Sequence, residues 1–253
     1  KKFYKTRFIM SDEKNYGWCL DFIDKDKVNV LCEIGSRDGL DSIYLAETLE
    51  TKENYLFEPD PDLGLEIEEN IINTKGSEKF NFMNIALGEE SKKETFKAVD
   101  MDKYKNKGVG SFFDINFDNR EKSDSDYKRE PVQKEIEVEI KRYDDLSLPA
   151  PDLIAMDVQG YELSVLKGFG KIINDVYAIV LESSISENYI GGSRVLDVYK
   201  FLNKNNFKLV KNTRNDSNKG LIREALMYNL RKKKNYIPDL DLLFINKTII
   251  KNI

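Results

Sequence analysis

Short, nearly continuous apolar runs alternate with helix-length periodic stretches along this chain, and that alternation restricts the fold more than any other feature. The clearest case is VLCEIGSRDGLDSIYLAE, beginning at Val30. Residues 28–34 are an apolar run of the kind buried on both faces of a sheet. The turn Glu33-Ile34-Gly35-Ser36-Arg37-Asp38-Gly39 follows. Leu40, Ile43, Tyr44, Leu45 and Leu49 then mark the apolar face of a helix over 39–50. The order recurs with a strand at 55–58 and a helix at 62–73. A strand at 80–86 follows, then a strand at 152–158 with a helix at 161–169, and a strand at 176–181 with a helix at 193–203. Such repetition predicts an α/β fold: a mostly parallel sheet with helices on both faces. Two final strands are expected at 207–211 and 240–246.

The pattern fails in two places. Within 88–149, EIEVEIK (135–141) alternates apolar and charged residues as a half-exposed strand does, and TFKAV (95–99) alternates more weakly. These two are expected to pair as an antiparallel extension at one edge of the sheet. The polar run DNREKSDSDYKREP between them reads as a mobile loop. The expected organisation is an N-terminal extension over 1–27 and one domain over 28–253. That domain carries a polar insertion at about 100–134 and a second at about 213–238, the latter including the basic run RKKK at 231–234.

Of the 253 residues, 40 are Lys or Arg and 45 Asp or Glu, a net charge of −5. That balance argues against a protein living on a nucleic-acid backbone. No apolar run approaches a membrane span, and the start resembles no signal peptide. Cys19 and Cys32 form no disulfide framework, so a reducing, cytoplasmic compartment is expected. There is no histidine, which excludes Ser-His-Asp and Cys-His catalysis and every histidine-based metal site. The chain begins with Lys1 rather than Met, as a domain cut from a longer protein would.

The turn after the first strand carries the functional argument. Gly35 and Gly39 permit positive φ or close backbone approach. The pattern is E-x-G-x-x-x-G, not the G-x-G-x-x-G that holds a pyrophosphate, and no G-x-x-x-x-G-K-[ST] loop occurs. A carboxylate inside the turn repels phosphate and suits a cationic ligand. S-adenosylmethionine fits, with an ammonium, a sulfonium and no phosphate. The second strand ends in YLFEPDPD, which puts Glu58 at its tip, where a carboxylate accepts both hydroxyls of a ribose. Candidate cofactor residues are Glu33, Gly35, Ser36, Asp38, Gly39 and Glu58, with Asn84 and Ala86 flanking the adenine. Ser111, in GVGSFF, is a further candidate, for the cofactor's carboxylate. The competing reading is an ordinary strand–helix connection beside a solvated Glu58.

Four stretches, EIGSRDG (33–39), FEPDP (57–61), NIALGEE (84–90) and IAMDVQGYELSVLKGF (154–169), resemble the FkbM family of S-adenosylmethionine-dependent methyltransferases. EIEVEIKRYDDL (135–146) resembles the family segment before its fourth strand. The resemblance runs from about 28 to 210. It implies a Rossmann-like class I methyltransferase fold with a seven-stranded, mostly parallel sheet and an antiparallel C-terminal strand. It also implies O-methylation of a hydroxyl on a sugar, glycan or glycosylated small molecule, sometimes by domains fused to or working beside glycosyltransferases. Glu33, Gly35 and Gly39 fall on the family's cofactor loop, Glu58 on its ribose carboxylate, and Asp157 on the acid ending its fourth strand, next to where the methyl group sits, which makes it a cofactor-binding candidate as well. Gln159 stands where the family often has Glu.

An alcohol must lose its proton to attack a methyl group, and without histidine the base is a carboxylate, a tuned Lys or Tyr, or a metal-bound alkoxide. Asp157 and Glu182 end neighbouring strands and are expected to converge, with Glu162 beside them as a third catalytic candidate. As a pair, Asp157 and Glu182 are also the expected ligands of Mg²⁺ or Mn²⁺. The structural alternatives are an Asp157 that caps the next helix and a Glu162 that complements its dipole. Tyr189, in ENYIGG, is placed near the acceptor, with a packed loop tyrosine as the alternative. A nicotinamide-dependent oxidoreductase and a non-catalytic binding module are the competing functions. Base-amine methylation is disfavoured because MDVQGY stands where an (Asp/Asn)-Pro-Pro-aromatic motif would be.

Overall fold

In the computed structural model, residues 16–100, 102–103, 107–117, 133–214, 217–231 and 236–249 are described. The apolar run at the chain's first turn forms β1 (Val30–Ile34), and the periodic stretch after it forms α1 (Leu40–Leu49). Then come β2 (Glu53–Phe57), α2 (Pro61–Ile72), β3 (Phe80–Met83), β4 (Ala86–Leu87), β5 (Lys92–Val99) and β6 (Gln133–Lys141). β7 (Leu153–Met156), α3 (Glu162–Gly168), β8 (Ala178–Ser183), α4 (Val195–Lys204), β9 (Phe207–Asn212), α5 (Asn218–Leu230) and β10 (Leu240–Asn246) complete the described chain.

Seven strands of the described chain form one sheet in the order β3-β2-β1-β7-β8-β10-β9. All neighbours from β3 to β8 run parallel, whereas β10 runs antiparallel to both β8 and β9. The expected seven-stranded sheet with an antiparallel C-terminal strand is present. Alternation along each strand sends side chains to two helical layers. Leu31, Ala155 and Val180 meet Leu45 and Leu49 of α1, together with Tyr16 and Cys19 of a 3-10 turn at Tyr16–Phe22. Cys32, Ile154, Ile179 and Leu181 face Leu166 of α3, Val198 and Leu202 of α4, and Leu221 of α5. Among the described residues, no helix is long and apolar enough to cross a membrane.

Two expectations are corrected, and the second insertion gains a helix. The run 80–86 is not one strand: Met83 ends β3 in the large sheet, and Ala86 begins β4 in a second one. β5 and β6 do pair antiparallel, from Lys92 opposite Ile140 to Val99 opposite Gln133. They do not extend the large sheet's edge, because β4 joins them in a separate three-stranded sheet, β4-β6-β5. The segment 213–238 contains α5, which Ser217 caps by accepting the Gly220 N–H at 3.1 Å. Leu221, Ala225 and Tyr228 of α5 are buried, while Leu226, Met227 and Leu230 are exposed. Apolar residues on both faces hid its helical period. The whole polar run 118–131 and three of the four RKKK residues lie outside the described residues.

The small sheet is held against α3 by backbone contact. A Cβ on Gly168 would lie 2.0 Å from the Gly88 carbonyl oxygen, just after β4. The opposing atom is backbone and cannot swing away. Gly168→Ala is therefore expected to destabilise the fold by about 1–3 kcal/mol, read as a Tm lowered by several degrees in thermal unfolding.

Candidate functional site

The chain reverses its direction of strand addition between β1 and β7, the place where open α/β sheets bind ligands. There the two strand ends touch. The Asp157 N–H donates to the Ile34 carbonyl at 3.0 Å, and a Cβ on Gly35 would lie 1.9 Å from the Asp157 carbonyl oxygen. Gly35 has φ +78° and Gly39 φ +75°, conformations that favour glycine. The turn's N–H groups are committed within the protein. Those of Gly35 and Ser36 donate to the Phe57 carbonyl at 2.9 and 3.1 Å, and that of Gly39 donates to the Ser36 carbonyl at 2.7 Å. Arg37 N–H donates to the Glu58 carboxylate at 3.1 Å, and Leu40 N–H to Asp38 Oδ1 at 3.2 Å. A dinucleotide's pyrophosphate needs such donors pointed outward, and this turn points five of them inward.

Around that turn the side chains are acidic. Glu58 follows β2 directly and is buried. Its carboxylate accepts N–H groups from Arg37 and Asp60, while Asn84 Nδ2 donates to its backbone carbonyl at 2.7 Å. Burial pushes the Glu58 carboxyl up to about 7, against those two N–H groups. Glu33 is buried on the α1 side and accepts a short hydrogen bond from Ser42 Oγ. Burial first, and Asp41 next, holds its carboxyl well above the ordinary range. Asp41 itself is raised to about 6 by burial, against Arg37. Burial works against the Arg37 guanidinium, but Asp38, Asp41 and Asp157 outweigh it and keep its pKa high. Ser36 Oγ donates to the Glu33 carbonyl at 3.2 Å.

A second group meets beyond the ends of β7 and β8. Asp157, Gln159, Glu162, Glu182, Ser183 and Tyr189 are among the residues lining one narrow cleft. Gln159 Nε2 donates to Asp157 Oδ1 and, at 3.4 Å, to Glu182 Oε1, while Gln159 Oε1 accepts from the Tyr189 hydroxyl. Glu162 is buried. It accepts the Gly160 N–H and the Ser193 hydroxyl, each at 2.8 Å. Burial raises its carboxyl to about 7, with those two donors opposing. Both Glu162 oxygens thus tie the turn before α3 to the loop before α4. Among the described residues, no group of three or more Cys, Asp or Glu side chains is arranged to hold a metal ion.

The structure brings Glu33, Gly35, Ser36, Asp38, Gly39 and Glu58 together around one turn, with Asn84 behind Glu58. It brings Asp157, Glu162 and Glu182 to one cleft. Ser111 is fully buried, and its hydroxyl donates to the Gln159 carbonyl at 2.7 Å while accepting the Phe113 N–H at 3.0 Å. Ala86 is a buried residue of the small sheet. Two contributors went unread in the sequence. Ser193 binds Glu162 from 31 residues away, with no local signal beyond the glycines before it. Tyr16 reaches this edge from the N-terminal 3-10 turn. Burial raises its phenol well above the ordinary value, with the charges of Asp157, Asp241, Glu182 and Glu33 adding.

A family model described as the methyltransferase FkbM domain matches residues 33–209. Among solved structures, the chain is similar to a methyltransferase FkbM from Methylobacillus flagellatus KT, at 14% identity and TM-score 0.48, over 86% of this chain and 44% of that one. It thus spans less than half that protein's length. It is also similar to a precorrin-6y C5,15-methyltransferase from Geobacter metallireducens GS-15, at 11% identity and TM-score 0.43, over 88% of this chain and 84% of that one. A third is M. capricolum TrmK in complex with S-adenosyl-homocysteine, at 10% identity and TM-score 0.42, over 88% and 65%. No curated protein matches the chain.

Glu58 and Glu162 both have folded values near 7, above the 4.5 of a free glutamate. Between those values the folded chain holds protons that the unfolded chain has released. Their stability contribution is therefore fully present below about pH 4.5 and is lost as pH rises through 7. Each group contributes a slope of up to about 1.4 kcal/mol per pH unit. A Tm series from pH 5 to 8 is expected to decline, and Glu58→Gln to decline less steeply.

Proposed function

The chain belongs to the FkbM methyltransferase family, and from that premise we propose that it is an S-adenosylmethionine-dependent O-methyltransferase acting on a hydroxyl of a sugar, glycan or glycosylated small molecule. The observation that carries this reading is the turn at the β1–β7 junction. Its donors are committed inward and its surroundings are carboxylates, an environment hostile to a pyrophosphate and suited to a cation. Glu58 accepts one N–H on each oxygen, and a carboxylate oxygen has a second lone pair for a ribose hydroxyl. Gly35, Ser36, Asp38 and Gly39 shape the wall for the amino-acid end, Glu33 places a buried hydrogen-bonding carboxyl behind it, and Asn84 fixes the Glu58 backbone. Ala86 and Ser111 are assigned to supporting the walls of the adenine and amino-acid ends.

When bound, the cofactor supplies a methyl group on a sulfonium, an electrophile open to in-line displacement. This chain's part is to hold the acceptor oxygen on that line and to take its proton. We assign the proton to Asp157, at the tip of β7 beside the β1 turn, with Glu182 as its partner across the cleft. Glu162, both oxygens occupied, holds the Gln159–Gly160 turn. The described cysteines Cys19 and Cys32 are free and buried, which supports a cytoplasmic setting, alone or beside a glycosyltransferase domain.

Calorimetry with S-adenosylmethionine and with NAD separates the readings. Micromolar binding of S-adenosylmethionine is expected, weakened about 10–100-fold in Glu58→Ala. It should strengthen as pH rises towards 7, because a donated ribose hydroxyl favours the ionised carboxylate. With rhamnose- and fucose-type glycosides as acceptors, product mass should rise by one methylene, and Asp157→Asn should lower kcat by about 10²–10⁴. Binding of NAD alone would make the chain an oxidoreductase. A folded chain that binds neither ligand is a non-catalytic module.

A further inference from the structure

We propose that Gln159 is a positioning residue whose side-chain amide, rather than a divalent cation, holds Asp157 and Glu182 together as the acceptor-facing pair. The role rests on the methyl-transfer reading of this site, whereas the geometry can be tested without it. Two carboxylates at the tips of adjacent strands repel unless something positive or donating lies between them. Here an amide nitrogen does, donating to Asp157 Oδ1 and, at 3.4 Å, to Glu182 Oε1. Its other end is fixed, because Gln159 Oε1 accepts from the Tyr189 hydroxyl. The orientation follows from charge: turned over, the amide would put its oxygen against two carboxylates.

The backbone is built to deliver that side chain. Gln159 has φ +50° and Gly160 φ +97°, so a bulky residue sits where glycine is favoured, a conformation kept only when its surroundings impose it. Three elements impose it. Ser111 donates to the Gln159 carbonyl at 2.7 Å, Glu162 accepts the Gly160 N–H at 2.8 Å, and the Ser193 N–H donates to the Gly160 carbonyl at 2.7 Å. A divalent Mg²⁺ or Mn²⁺ takes several oxygen ligands, and among the described residues no group of three or more Cys, Asp or Glu side chains is arranged to hold one. The Gln159 group that reaches both Asp157 and Glu182 is an amide nitrogen, a donor and not a ligand. The consequence is chemical. An uncharged amide orders the two carboxylates without adding the field of a dication.

The test exchanges amide for carboxylate. Wild type, Gln159→Glu and Gln159→Asp are titrated with MnCl₂ by calorimetry, and Tm is read with Mn²⁺ and after EDTA. Aspartate tolerates the left-handed backbone well, which guards against a misfolded glutamate chain. Wild type is expected to show no saturable heat and no Mn²⁺-dependent Tm. Each acidic variant is expected to bind one Mn²⁺ and gain several degrees, reversed by EDTA. Saturable binding by wild type that is lost in Gln159→Leu overturns the proposal, because the amide would then present its oxygen to a cation. Folded acidic variants that stay silent overturn it too, since the three side chains would not converge. If neither acidic variant folds, the wild-type and Gln159→Leu arms decide alone. S-adenosylmethionine calorimetry on the same wild-type sample keeps the two readings apart: failure to bind removes methyl transfer and leaves the Mn²⁺ result to judge the clamp.

Discussion

The contact on which the site depends is backbone against backbone, Gly35 on the Asp157 carbonyl. With no room for a Cβ and a positive φ at the same residue, the β1 turn lies flat against the tip of β7. That packing turns the Gly35 and Ser36 N–H groups towards the end of β2, where the Phe57 carbonyl takes both. The Arg37 N–H is then in reach of Glu58. One steric fact therefore arranges three strand ends, and it does so by using up the donors that a phosphate-binding version of this fold would present.

What replaces those donors is a set of carboxyl groups, and burying them carries a cost in stability. Glu33, Glu58 and Glu162 are buried carboxyls, each pushed above its ordinary range first by burial. Hydrogen bonds from Ser42, from the Asp60 and Arg37 N–H groups, and from Gly160 and Ser193 offset part of that cost. Arg37, beside Asp38 at 3.4 Å and Asp41 at 3.9 Å, brings a cation close to the turn. A site so loaded gains when a cation or a hydrogen-bond donor arrives, which is the electrostatic complement of a sulfonium and an ammonium.

The large sheet was legible because its strands are short, apolar and punctuated by glycine turns. β1 and β7 lie within the runs that predicted them, β2 and β8 overlap theirs with a shift of about two residues, and Glu58 and Asp157 lie at the strand ends to which those runs assigned them. The break at Asn84 was not legible, because residues 80–87 look equally apolar whether they serve one sheet or two. α5 was hidden by Leu226, Met227 and Leu230 on its exposed side. Gln159 was noticed only as an exception to a motif. Its role depends on β7 lying beside β8 and on Tyr189, 30 residues on, and no local pattern carries that.

The insertion that interrupts the strand–helix alternation acts on the site through the segment before β6. Ser111 bridges Lys97 of β5 and caps the Gln159 carbonyl. Phe112 packs on Phe96 of β5 and on Tyr161 at the start of α3, with ring centroids 5.1 and 4.5 Å apart. Ile115 forms a bridge with Tyr189, the residue whose hydroxyl fixes the Gln159 amide. The small sheet is thus tied to both ends of the Tyr189–Gln159 chain, to its backbone through Ser111 and to its hydroxyl end through Ile115. A turn that must hold a non-glycine residue at φ +50° between two carboxylates needs bracing from outside the large sheet, whose strands β7 and β8 end at Met156 and Ser183. Sequence that reads as a polar interruption therefore carries the scaffold for the Asp157–Gln159–Tyr189 cluster.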